Sequence, residues 1–163
     1  MNMNSVYLET SIISYLAARP SRDVIIAGHQ QATYEWWFAE RNNFSIYSSP
    51  LVLREASFGD TVAASARLQW LEGVQLLAVT PEAEQLAKVL LHRMTLPAKA
   101  VVDALHIATA TAHQINFLLT WNCKHIANAV NRPHIERVCR ECGFEPPILC
   151  TPDELIGGTN HVD

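Results

Sequence analysis

The order of apolar and polar positions along the chain predicts strands that alternate with helices. Five short runs, apolar or alternating, have the length and composition of strands: 6–8, 44–48, 75–79, 117–120 and 146–150. The segments between them carry apolar residues at helical spacing and begin at capping residues, such as those before Pro50 and Pro81. This alternation indicates a three-layer α/β/α sandwich around a mostly parallel central sheet.

The domain organisation follows from the absence of internal divisions. No linker, repeat or low-complexity segment interrupts the 163 residues, a length that suits one domain. Thr151 and Glu154 form a capping box over a short last helix. We therefore expect a single domain at residues 1–156, followed by a short C-terminal tail at residues 157–163.

Composition and charge exclude several classes of protein. Hydrophobic residues make up 49% and charged residues 17%, which is typical of a compact globular chain. No run approaches the roughly 20 apolar residues of a membrane span. The N-terminal decapeptide carries neither a basic segment nor an apolar signal core, so we expect a cytoplasmic protein. A net charge of −4 disfavours a protein that coats nucleic acid through bulk charge.

Cysteine usage leaves one metal alternative open. In a chain without a signal sequence, the four cysteines are expected to be reduced thiols. Cys139 and Cys142 have the spacing of two zinc ligands, with Cys123, His125, His134 or Cys150 available to complete the set. The remaining spacings fit no zinc pattern, and one helical turn with two partly buried thiols explains the pair as well.

Four polar side chains flank the predicted strands. Glu9 ends the first strand, and Asn122 lies two residues beyond the fourth. Glu55 falls in the second turn of the helix after the second strand, and Asp103 lies early in the helix that precedes the fourth. Ligands of a parallel sheet bind beyond the carboxyl ends of its strands. Right-handed crossovers would bring all four side chains to that edge.

The three acids lie in apolar sequence, which is costly for carboxylates without a partner. Three such acids at one edge would repel one another unless they share a cation. Mg²⁺ or Mn²⁺ takes oxygen ligands and keeps several waters, so we expect one of these ions. Taken singly, each acid is also explained by a solvated helix face or a salt bridge, such as Glu55 with Arg54.

Four segments occur in the order and spacing of PIN domains, and resemble most closely the VapC-like toxins of toxin–antitoxin modules: Tyr7 to Ser11, Val52 to Glu55, Asp103 to Ala108 and Leu118 to Asn122. The resemblance covers nearly the whole chain. It implies a Rossmann-like α/β/α fold and metal-dependent endoribonuclease activity. It also implies an RNA substrate, an antitoxin that covers the site, and homodimers.

By this resemblance the four polar residues form the catalytic and metal-binding set. Glu9 takes the place of the first acid, Glu55 of the second and Asp103 of the third, while Asn122 stands where many members carry a fourth acid. Ser11 matches a hydroxyl that supports the water shell of the metal. Glu9 departs from the commoner Asp, and the Asn122 amide removes a charge. Three carboxylates suit one ion and put a second in doubt.

Four further residues are candidates for supporting roles. Arg22 and Lys124 are positioned to meet RNA phosphates, although solvated surface charge explains them equally well. His106 follows Asp103 by one turn and His125 follows Asn122 by three residues, so each could support the site from behind. A packed structural histidine is the simpler reading of His106, and Asn122 is also explained as a helix cap.

The leading hypothesis is therefore a Mg²⁺- or Mn²⁺-dependent ribonuclease held inactive by a partner. A second hypothesis is a degenerate PIN-like module that binds RNA or protein without cleavage. Asn122 favours this alternative, and the three acids disfavour it. A small-molecule phosphohydrolase is a third hypothesis, but no nucleophilic Asp motif is recognisable.

Overall fold

A computed structural model describes residues 2–94 and 96–156 and contains one parallel sheet. Its strands lie in the order β3-β2-β1-β4-β5, and each neighbouring pair is parallel. The strands are β1 (Asn4–Leu8), β2 (Phe44–Ser48), β3 (Gln75–Leu76), β4 (Phe117–Leu119) and β5 (Ile148–Cys150). The predicted tail at 157–163 lies outside the described residues.

Seven α-helices connect these strands in the described part of the chain. They are α1 (Thr10–Ala17), α2 (Val24–Glu35), α3 (Pro50–Ala56), α4 (Thr61–Trp70), α5 (Pro81–Arg93), α6 (Val101–Ala112) and α7 (Arg132–Glu141). No helix in the described ranges has the length and apolar character needed to cross a membrane.

The order of the strands reverses between β1 and β4, and this fixes the layers. Right-handed crossovers place α1 to α4 on one face of the sheet and α5 to α7 on the other. The contacts agree, because α1 packs on α2, α3 and α4, whereas α5 packs on α6 and α7. The predicted α/β/α sandwich is thus confirmed. The carboxyl ends of β1 and β4 meet at the reversal, where open α/β sheets bind ligands.

Two local predictions differ from the structure. The strand predicted at 75–79 is confined to Gln75–Leu76, at the edge of the sheet. A helix was expected to begin at Cys123, but residues 123–131 form turns and α7 begins only at Arg132, with Pro133 in its first turn. Proline is accepted there because the first helical N–H groups have no intrahelical partner. The end of α2 continues as a π-helix at Trp36–Glu40.

Candidate active site

Glu9 lies at the point where β1 ends and α1 begins. It is the N-cap of α1, and its Oε2 accepts a hydrogen bond from Ser11 N at 2.8 Å. The same oxygen accepts a second bond from Thr120 Oγ1 at 3.0 Å, which ties β1 to the residue after β4. Ser11 Oγ accepts from Trp121 N at 2.8 Å and strengthens this connection. The first predicted acid is therefore fixed at the reversal of the sheet.

The environment of Glu9 disfavours its charge. The residue is only 5% exposed, and burial raises the pKa of its carboxyl group. The nearby His106 and the hydrogen bonds from Ser11 and Thr120 lower that pKa, but they do not offset the burial. No donor from the described residues bonds to Oε1, so one oxygen remains available to a ligand.

Glu55 lies on α3 and is held by a helix on each side of the sheet. Its Oε1 accepts from Thr10 Oγ1 at 2.7 Å and faces His106 Nε2 at 2.6 Å. Burial raises the pKa of Glu55, but the contact with His106 and the hydrogen bond from the Thr10 hydroxyl outweigh it and lower the pKa overall. Glu55 is therefore a carboxylate at neutral pH.

The contact with His106 continues into the core. His106 Nδ1 lies 2.6 Å from the Tyr7 hydroxyl, which in turn lies 2.7 Å from Ser49 Oγ. Tyr7, Ser49 and His106 are each 0% exposed. A continuous row of buried polar side chains thus connects the end of β2 to Glu55, passing through the central strand β1.

Asp103 and Asn122 meet through His125. Asp103 lies in the first turn of α6, as predicted, and its Oδ2 is 2.8 Å from His125 Nδ1. Asn122 Oδ1 accepts from His125 N at 3.2 Å, and Asn122 N donates to Thr120 Oγ1 at 2.9 Å. Asn122 therefore caps a turn rather than the helix that the sequence suggested. Thr120 links this group to Glu9.

The four predicted residues thus belong to one edge of the sheet. Thr120 connects Glu9 to Asn122, and His125 connects Asn122 to Asp103, whereas Glu55 is held separately by Thr10 and His106. Within residues 2–94 and 96–156, no three His, Cys, Asp or Glu side chains are arranged to hold a metal ion. The four cysteines are free thiols and belong to no such group among the described residues, so the structure gives no support to the zinc alternative.

Residues with predicted supporting roles divide into two kinds. Ser11, His106 and His125 contact Glu9, Glu55 and Asp103 respectively. Arg22 and Lys124 are exposed, and the described part of the chain gives their side chains no hydrogen bond or ion pair. Sequence analysis missed four residues that touch the site or its histidine. They are Tyr7, Thr10, Ser49 and Thr120. The last three carry a hydroxyl next to a strand end or helix start, which is a signal in the sequence, whereas Tyr7 gives none.

The donor atoms fit a hard divalent cation in their chemistry, although no three of the described side chains stand together as a metal-binding group. Each acid uses one oxygen in hydrogen bonds: Oε2 of Glu9, Oε1 of Glu55 and Oδ2 of Asp103. The second oxygen of each has no hydrogen-bonding partner among the described residues. Oxygen ligands of this kind are those that Mg²⁺ and Mn²⁺ prefer.

Comparison with known proteins identifies the family. The PIN domain family model matches residues 6–124, which include all four predicted site residues. VapBC2 from Rickettsia felis, in a crystal structure with a promoter DNA fragment, aligns at a TM-score of 0.57 and 17% identity, covering 90% of this chain and 97% of that one. Mycobacterium tuberculosis VapC20, described as a sarcin-ricin loop cleaving toxin, aligns at 0.53 and 21% identity, covering 70% and 87%. No curated protein matches the sequence. The chain belongs to the PIN domain family.

Proposed function

We propose that the protein is a divalent-metal-dependent endoribonuclease. The observation that carries the proposal is the placement of Glu9, Glu55 and Asp103 at the reversal of a PIN-domain sheet, each with one oxygen fixed and one without a protein partner. The similarity to VapC20, itself a toxin that cleaves the sarcin-ricin loop, supports RNA as the substrate.

The three carboxylates and the amide oxygen of Asn122 would hold Mg²⁺ or Mn²⁺. The bound ion would polarise a phosphodiester and lower the pKa of a coordinated water. Because the three acids repel one another, each must be held in place by the protein. Ser11 and Thr120 hold Glu9, His106 holds Glu55, and His125 holds Asp103. We assign Arg22 and Lys124 to the phosphate backbone, since both are exposed cations without an ion pair among the described residues.

We further propose that the protein is the toxin of a toxin–antitoxin pair and acts in the cytoplasm as a homodimer. The similarity to a chain of the VapBC2 complex supports a protein partner. The start of α2 suits such a partner, because Val24 and Ile25 are 86% and 70% exposed although both are apolar. Where a small gene for a DNA-binding protein adjoins this one, co-expression of the two products should yield a stable complex on size-exclusion chromatography, and separate elution would contradict this assignment.

The activity is tested with purified, partner-free protein and a panel of structured and unstructured RNAs in Mn²⁺. We expect internal cleavage that leaves 5′-phosphate ends, that chelation abolishes and that Asp103→Ala prevents. Lys88→Ala is a matched control, since Lys88 lies on α5, outside the site. Cleavage that persists in Asp103→Ala would show that a contaminant is responsible.

A non-cleaving RNA- or protein-binding module is the second candidate. It is favoured by the pairing of Glu55 and Asp103 with histidines and by the lack of a three-residue metal group in the described residues. Binding of RNA without cleavage in Mn²⁺, unaffected by Asp103→Ala, would favour this candidate over the nuclease.

A further inference from the structure

The Tyr7 hydroxyl is not needed for packing, because the ring of a phenylalanine would pack equally well at this position. The ring lies in β1, is 0% exposed and meets the His106 ring edge to face, with 5.8 Å between centroids. A phenylalanine would fill the same space. A buried hydroxyl costs stability unless it is hydrogen-bonded, and here Ser49 and His106 each lie within 2.7 Å of it. The hydroxyl therefore serves its partners.

The direction of each hydrogen bond in this row follows from the number of protons available. An ionised carboxylate only accepts, so His106 Nε2 must carry the hydrogen that faces Glu55 Oε1. In its neutral form, which the spectra described below test, the imidazole has one N–H, so Nδ1 is an acceptor and the Tyr7 hydroxyl donates to it across 2.6 Å. Tyr7 has only one proton, so Ser49 Oγ donates to the Tyr7 oxygen.

We propose that Tyr7 is a positioning residue of the active site: its hydroxyl, oriented by Ser49, fixes His106 as the Nε2–H tautomer, and His106 thereby holds Glu55. This inference rests on the proposed function, because it specifies how one of the proposed metal ligands is supported. Tyr7 itself touches neither metal nor RNA in this scheme. Its effect reaches the site through one buried imidazole.

The consequence for Glu55 is a carboxylate with one oxygen immobilised. Oε1 is bonded by Thr10 from α1 and by His106 from α6, two helices on opposite faces of the sheet. Two donors from independent elements restrict the rotation of the carboxylate more than either donor alone. Oε2 stays without a partner among the described residues and is left to coordinate the ion. Orientation of a ligand by such outer hydrogen bonds typically changes metal affinity or activity by about 10- to 100-fold.

The test compares Tyr7→Phe with Tyr34→Phe. Tyr34 is a matched control, because its hydroxyl donates to Leu16 O at 3.3 Å and takes no part in the row. Long-range ¹H–¹⁵N correlation spectra at about pH 8 report the tautomer of His106, assigned by loss of its signals in His106→Gln. We expect the Nε2–H tautomer in wild type, a downfield shift of Nδ1 in Tyr7→Phe, and no change in Tyr34→Phe.

Kinetics and metal titration measure the effect on the site. Tyr7→Phe should lower kcat for RNA cleavage and affinity for Mn²⁺ by about tenfold each, with KM for RNA unchanged. An Nδ1–H or imidazolium signature in wild type would overturn the proposal. So would wild-type kcat and Mn²⁺ affinity in a folded Tyr7→Phe variant.

The role of Tyr7 can still be tested if Tyr7→Phe does not fold or if the protein cleaves no RNA. If Tyr7→Phe does not fold, Ser49→Ala can be used instead, because it removes only the donor at the end of the row. We expect a smaller downfield shift of His106 Nδ1 in this variant. An unchanged Nδ1 shift would contradict the proposed orientation of Tyr7 by Ser49. If the wild-type protein cleaves no RNA, the proposed function fails by itself. The tautomer and the Mn²⁺ titration still decide whether Tyr7 positions Glu55 through His106.

Discussion

Replacement of Glu9 by glutamine should stabilise the metal-free protein while abolishing nuclease activity. The Glu9 carboxylate is 5% exposed, and burial is the largest influence on its pKa, which is raised. The two hydrogen bonds to Oε2 therefore do not replace the lost hydration. A glutamine oxygen can accept both bonds from Ser11 and Thr120, and no charge is buried. The substitution removes a penalty but retains the contacts.

The size of the effect follows from the cost of a buried charge. Each unit by which burial raises a carboxyl pKa costs the charged form about 1.4 kcal/mol, so a neutral glutamine that keeps both hydrogen bonds should gain on the order of 1–2 kcal/mol at neutral pH. In a domain of this size about 1 kcal/mol changes the melting temperature by about 2–4 °C, so Glu9→Gln should melt about 2–8 °C higher.

The difference in melting temperature between wild type and Glu9→Gln should depend on pH. Because folding raises the pKa of Glu9, its stabilising contribution is complete below the ordinary value of 4.5 and is lost as pH rises through the folded-state pKa. Wild type and Glu9→Gln should therefore melt alike near pH 4 and diverge towards pH 8. The assay is calorimetry in chelator across this range. Equal melting temperatures at pH 8 would refute the reasoning.

Asp103→Asn is the matched control, since it also removes one negative charge. Asp103 is hydrogen-bonded to His125 at 2.8 Å, and both side chains are 18% exposed. Neutralising a paired acid removes a favourable contact, so we expect a loss of up to about 1 kcal/mol. Opposite signs in the two variants would separate the burial of Glu9 from a general relief of negative charge. A gain in both would mean that charge relief alone accounts for the effect.

Three further predictions concern neighbouring groups. Thr120→Val removes the donor to Glu9 Oε2 and should lower kcat about tenfold, measured by RNA cleavage. Asn122→Asp keeps the hydrogen bond from His125 N and should raise Mn²⁺ affinity in calorimetric titration. Asn122→Ala loses that bond and should lower the free energy of unfolding by about 1 kcal/mol. An unchanged affinity in Asn122→Asp would remove this residue from the site. In thiol labelling the exposed Cys123 and Cys142 should react before the buried Cys139 and Cys150. Burial raises the pKa of Cys139 to about 11 and that of Cys150 to about 12, so few of these thiols are ionised. Equal labelling rates for all four would contradict the assignment of Cys139 and Cys150 as buried.

The fold could be predicted because its signals are local. The run at 117–120 is apolar on both faces, as a central parallel strand requires, and β4 lies at Phe117–Leu119. Errors arose where tertiary context decides. Val79 was expected in a strand, but only Gln75–Leu76 pair with β2, at the edge of the sheet. Residues 123–131 have helical composition, yet Asn122 and Asn128 accept hydrogen bonds that close turns there.

The acids were predictable one by one, but their partners were not. Glu9, Glu55 and Asp103 can be recognised as polar residues in apolar sequence near strand ends. The contact between Tyr7 and His106 joins residues 99 positions apart, and it depends on the pairing of β1 with its neighbours. Tyr7 reads as an ordinary core residue in the run at 6–8, because a hydroxyl gives no sign of its partner in sequence.

The three acids differ in how their charges are compensated, and this difference bears on the proposed metal site. Glu55 is stabilised by His106, and Asp103 is paired with His125. Glu9 has backbone and hydroxyl donors but no ion-pair partner among the described residues, and it is the acid whose pKa is raised. A cation at this edge would therefore interact most favourably with Glu9, the least compensated charge. Substitution of Glu9 should consequently reduce metal affinity more than substitution of Asp103, although it stabilises the metal-free fold. The same residue would then limit the stability of the metal-free protein and contribute more than Asp103 to its affinity for the ion.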